Sequence, residues 1–152
     1  MAKKDVNDLI RFLLPYPEHV KTTSLGLRNF IWGLYPDTNE LIYDNYNAVA
    51  FGWSLTDKAG DVFCSVAVYS HYVNFGFNRG SEILDPEKLL IGGGSLYRYI
   101  RVADNEAFPE IYIKKLLRSA YENAFGRLKP VSKEFKGETI VKSISPVKRR
   151  PV

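Results

Sequence analysis

A chain of 152 residues, 45% hydrophobic and 25% charged, has the size and composition of one folded domain, long enough to bury about 70% of the surface its unfolded form exposes. A single cysteine, Cys64, excludes an intrachain disulfide framework, and the opening Met-Ala-Lys-Lys-Asp leads into an amphipathic segment rather than an apolar one; an intracellular, cytoplasmic protein with neither signal peptide nor membrane span is expected. The net charge of +4 is uneven: residues 1–126 hold 13 Lys and Arg against 15 Asp and Glu, whereas residues 127–152 hold eight against two, so the basic character belongs to the tail.

Val6, Leu9, Ile10, Leu13 and Leu14 recur at helical spacing and predict a short amphipathic helix, ended by Pro15 and Pro17. A second helix is expected over 18–35, with Leu27, Phe30, Ile31 and Leu34 on one side, closed by Pro36-Asp37. The period then changes. Segments 41–46, 48–55, 62–69 and 73–77 are rich in β-branched and aromatic residues and are separated by turn chemistry. Their short links require antiparallel neighbours, because a parallel crossover needs a dozen or more residues. In the last of them Val73, Phe75 and Phe77 alternate with Asn74, Gly76 and Asn78, which predicts one buried face and one wet or pocket-facing side.

Asp85-Pro86 reads as the start of a short helix through Leu90, with Asp85 as its cap. Gly92-Gly93-Gly94 breaks it, and 97–102 forms another strand. Ile111, Ile113, Leu116, Leu117, Ala120, Ala124 and Phe125 mark a long helix from about Pro109 to Gly126. Segment 139–144 could add an edge strand. The expectation is therefore an α+β fold, an antiparallel sheet of about five to six strands packed against N-terminal and C-terminal helices. Residues 1–145 form one domain and 146–152 a frayed basic tail.

The ordered pieces Phe51-Gly52-Trp53, Ala67-Val68-Tyr69, Val73-Asn74-Phe75-Gly76-Phe77, Arg79-Gly80, Leu84-Asp85-Pro86, Leu89-Leu90, Gly92-x-Gly94 and Arg98-x-Ile100 resemble the YdhG-like family of bacterial domains of unknown function. That resemblance implies an α+β fold with an antiparallel sheet, and one family member has a frataxin-like role in handling intracellular iron. Ser95 and Tyr99 stand where the family often has Lys and His, so no phosphate-type or proton-transfer role carries over to them.

Candidate chemistry is sparse. His19 and His71 are the only histidines, no ligand-spaced pair exists, and no metal site is expected. Iron held by carboxylates alone would need an acidic ridge from Asp5, Asp8 and Glu18 or from Asp37, Glu40 and Asp44, and solvated surfaces are the more ordinary use of such residues. Cys64 lies in an apolar run, where a thiol behaves as a small hydrophobe, so a dyad with His71 is a poor prospect. Gly92-Gly93-Gly94-Ser95 lacks the lysine of a phosphate loop and reads as a chain reversal. No catalytic residue or cofactor is assigned, and an enzyme is not the favoured reading. The Lys148-Arg149-Arg150 run could touch phosphates, but it has no aromatic stacking motif beside it, and nucleic acid is not an expected partner.

The constellation that remains is aromatic and basic. Trp53, Tyr69, Phe77, Arg79, Arg98 and Arg101 come from segments expected to adjoin, and charged groups among apolar ones must be paired or sit at a cavity rim. These six predict a cavity for a small anionic or aromatic ligand, or a contact for a protein partner, in a non-catalytic binding module. A frataxin-like iron chaperone and an enzyme of unidentified reaction are the alternatives. The sequence does not set the oligomeric state.

Overall fold

A computed structural model describes residues 6–104, 107–128 and 136–148. Helices α1 (Val6–Leu13) and α2 (Glu18–Leu34) precede strands β1 (Asn39–Asp44), β2 (Val49–Ser54), β3 (Val62–Val68), β4 (Val73–Phe77) and β5 (Arg98–Val102); helix α3 (Glu110–Arg127) and strand β6 (Thr139–Ile144) complete the fold. The six strands form one sheet in the order β5-β4-β3-β2-β1-β6. Successive strands from β1 to β5 are antiparallel, as the short links from β1 to β4 require and as the long 78–97 connection to β5 permits, while β6 runs parallel to β1 after the α3 crossover. The fold is α+β with a mixed sheet. Among the described residues no helix is long and apolar enough to cross a membrane.

Pairing register assigns the faces. Val49, Phe51 and Trp53 on β2 lie beside Val68, Val66 and Cys64 on β3, which lie beside Val73, Phe75 and Phe77 on β4. With Ile100 and Val102 of β5 these residues face the helices and form the main core. At the start of β3 the register slips, Trp53 pairing with Cys64 and Ser54 with Val62. Phe63 is thereby left over and joins the helix side, edge-on to Tyr35 at 5.4 Å and to Tyr121 of α3 at 5.5 Å. On α1 the buried residues are Leu9, Phe12 and Leu13, whereas Ile10 and Leu14 of the expected stripe are exposed. Tyr16 follows the helix and donates its hydroxyl to the Val68 carbonyl.

Two expectations fail for local reasons. Segment 85–90 is a turn rather than a helix: the Asp85 carboxylate accepts the N–H groups of Leu89 and Leu90, but Lys88 takes a left-handed φ of 54° that ends any helical path. The face of β4 expected to be wet is covered, since all five of its residues are buried. Arg101 reaches across Asn74, and the Tyr97 hydroxyl end lies so close over Gly76 that a Cβ there would sit 2.2 Å from its oxygen. The frayed tail also needs correction where it is described: the Lys148 ammonium pairs with Asp44 at 3.1 Å and bonds the Ser145 and Asp44 carbonyls. Arg149–Val152 lie outside the described residues.

One buried ion pair fastens α2 to the sheet. Arg28 donates from Nε and Nη2 to the two Glu40 oxygens, both at 2.7 Å; Thr139 of β6 donates to the same carboxylate, and Arg28 lies over the Trp32 ring. Glu40 has no solvent exposure, so removing Arg28 alone strands a charge in the core. Arg28→Met should lower the unfolding free energy by about 3–5 kcal/mol in urea titration, and adding Glu40→Leu should recover much of that loss.

Candidate functional site

Where α2 begins, its first two turns place His19, Val20 and Thr23 on one face by the i, i+3, i+4 rule. That face stands over the end of the sheet where the β3–β4 hairpin turns, closed by a Tyr69 N–H to Tyr72 carbonyl bond of 2.9 Å. Val102 pairs with Val73 there, as the last residue of β5. Between these elements lies a cleft of about 310 Å³, lined by His19, Val20, Thr23, His71, Tyr72, Val73, Arg101, Val102 and Ala103. Both histidines of the chain, 52 residues apart in sequence, meet at this one place.

Arg101 is held by stacking. Its guanidinium lies 3.7 Å from the Tyr72 ring centroid, and Tyr72 stacks in turn on Tyr69 at 4.9 Å and 23°. Arg101 Nε donates to Asn74 Oδ1 at 3.4 Å, and the terminal nitrogens have no partner among the described residues. Such a cation–π contact is worth about 0.5–2 kcal/mol and fixes the plane of the fork. Among the described residues no acidic side chain lines the cleft. Of the acids adjoining lining residues in the chain, Glu18 pairs with Lys21 and Asp104 accepts the Ala107 N–H. Thr23 is 3% exposed, yet its hydroxyl makes no hydrogen bond among the described residues.

The six residues singled out from sequence do not share one cavity. Trp53 and Phe77 are fully buried on the helix face, where each makes an edge-on contact within the core, with Phe51 and Phe75 respectively. Arg79 lies past the other end of β4, forked onto Glu82 at 3.0 Å, with Arg127 nearby. Arg98 pairs in register with Phe77, at the same far end, and donates to the carbonyls of Gly94 and Tyr97. Only Tyr69 and Arg101 belong to the stack beside the cleft. Compared with models of protein families, with curated proteins and with solved structures, the chain finds no match.

The residues that sequence reasoning left out of the site are His19, His71 and Thr23 with the valines around them. Their only signal is that two lone histidines fall at element ends, and their convergence depends on the register of β4 with β5. Cys64 and His71 do not meet as a dyad: the thiol is buried on the helix face, where burial pushes its pKa well above the ordinary range, and His71 is exposed in the hairpin turn. Asp37, Glu40 and Asp44 form no acidic ridge, since Glu40 is committed to Arg28 and Asp44 to Lys148. Among the described residues no three His, Cys, Asp or Glu cluster as metal ligands. A larger groove of about 570 Å³ at the start of α3 is lined by Glu87, Glu110 and Lys115 beside apolar groups, so its mixed charge selects no ligand.

On the opposite sheet face, Tyr97 and Tyr99 stack at 5.8 Å. Tyr97 is partly exposed as a residue, with its hydroxyl end tucked against Gly76. Burial pushes the phenol from 10.0 up to about 12, helped by Tyr69 and Tyr99 and opposed by a hydrogen bond with Ser65. A phenol whose folded pKa is raised binds its proton more tightly when folded, so its stabilisation is complete below the unfolded value and fades above it. Stability should therefore fall between pH 10 and about 12, and Tyr97→Phe should flatten that part of the slope in urea midpoints measured across this range.

Proposed function

We propose that the protein is a non-catalytic binding module that holds a small anionic ligand in the cleft between the start of α2 and the end of the β4–β5 ladder. The observation that carries this reading is the cleft's polarity. Its one permanent charge among the described lining residues is the Arg101 guanidinium, held flat on Tyr72 with its outer edge uncommitted, and no carboxylate is among those residues. His19 and His71 flank the rim, and the N-terminal end of α2 adds a partial positive charge. A volume of about 310 Å³ lies at the small end of ligand pockets and suits a metabolite better than a polymer.

Likeness to the YdhG-like family is compatible with this proposal and adds no ligand of its own. The frataxin-like alternative draws no support from side-chain placement, because Glu40 and Asp44 are used in ion pairs inside the fold and Asp8 and Glu18 in surface pairs with Arg11 and Lys21, while Asp5 lies outside the described residues.

A thermal-shift panel of phosphate, sulfate, organic acids, nucleotides and metal ions tests the proposal. A ligand at a hundredfold excess over its Kd stabilises by about 2.7 kcal/mol, which for a chain of this size raises Tm by roughly 5–10 °C. At least one anion should give such a shift, and Arg101→Leu should abolish it. A shift confined to ferrous iron under anaerobic conditions would replace the proposal with metal handling.

A further inference from the structure

Resting on the anion-cleft reading, we infer that the ligand is a small monocarboxylic acid with an apolar body and a hydrogen-bonding group at the end remote from its carboxylate. The cleft is graded. Its inner wall consists of Val20, Thr23, Val73 and Val102, all at most 4% exposed, while His19, His71, Arg101 and Ala103 at the rim are exposed. Charge can therefore be met at the mouth and an apolar body farther in, where each buried methylene adds favourable transfer energy.

The head group follows from Arg101. Asn74 takes Nε and Tyr72 takes one face of the guanidinium, which leaves the edge bearing the two terminal nitrogens. A planar fork presented edge-on matches the two oxygens of a carboxylate. Inorganic phosphate would satisfy the same edge but make no contact with the apolar floor of the cleft. The distal group follows from Thr23. Thr23 is 3% exposed as a residue and lines the inner wall, and its hydroxyl, which has no partner among the described residues, keeps some access to the cleft. A ligand hydroxyl or carbonyl placed there would satisfy it, whereas a purely apolar end would leave it unpaired. A volume of about 310 Å³ corresponds to roughly ten water molecules at about 30 Å³ each, which limits the ligand to a short acid.

Calorimetric titration of the full chain with two matched pairs tests this: benzoate against 4-hydroxybenzoate, and pentanoate against 5-hydroxypentanoate, with inorganic phosphate as a fifth probe. In at least one pair the hydroxylated acid should bind about tenfold tighter than its partner, the worth of one well-made hydrogen bond. Thr23→Val, which keeps the volume, should erase that difference while leaving the unsubstituted acid unchanged, and an unchanged urea midpoint checks its fold. Arg101→Leu should weaken both members of the pair. Phosphate binding tighter than every acid, in an Arg101-dependent way, would overturn the carboxylic-acid class and leave the anion cleft standing. Binding of the acids with no response to Thr23→Val would overturn the distal contact. No binding by any of the five probes would overturn the inference, and the broader panel with Arg101→Leu would then decide whether the cleft takes an anion at all.

Discussion

The buried bridge between Arg28 and Glu40 is the contact on which the arrangement of the molecule depends. An ion pair with this little access to water is stable only with near-ideal geometry and additional hydrogen bonds, and here two 2.7 Å bonds and the Thr139 hydroxyl supply them. The pair therefore does more to specify than to stabilise. It fixes the rotation of α2 about its own axis, so that Val20, Leu27 and Ile31 meet the sheet. Two turns earlier on the same rotated helix, Thr23 and His19 come to stand over the end of β4 and β5. The cleft is thus a by-product of how one charged residue is seated elsewhere on the helix.

Most of the sheet could be read from the chain because its residues satisfy two demands at once, β-branched or aromatic shape and a period of two. Strands β4 and β6 match the expected segments to the residue. The segment starting at Asp85-Pro86 carries real capping chemistry, and its side chain does accept two backbone N–H groups. One left-handed residue at Lys88 diverts it, and composition does not announce which residue will take that conformation.

The site was much less legible, for a geometric reason. Trp53 and Phe77 have the same sequence character whether they line a cavity or fill a core, and only the position of the helices decides. Alternation also cannot be carried past a strand end: Arg79 follows Phe77 by two residues, but the chain has already left the ladder and turns toward Glu82. The cleft joins an α2 helix face, a hairpin turn and a strand terminus, and no local pattern links those three. Charge proved similarly indirect. The basic excess of the C-terminal stretch suggested a solvated or polymer-binding tail, yet where it is described Lys148 is spent on Asp44 and Lys142 on the Asp57 carbonyl.

The parallel pairing of β6 with β1 has a consequence for how the chain acquires its structure. Glu40 and Thr139 are 99 residues apart, so closing that contact carries the entropic cost of a very long loop. Until it closes, β1 presents an unpaired strand edge, the kind of surface on which separate chains join by accident. Any state of the chain with that contact unmade exposes the β1 edge, and self-association through it competes with correct folding.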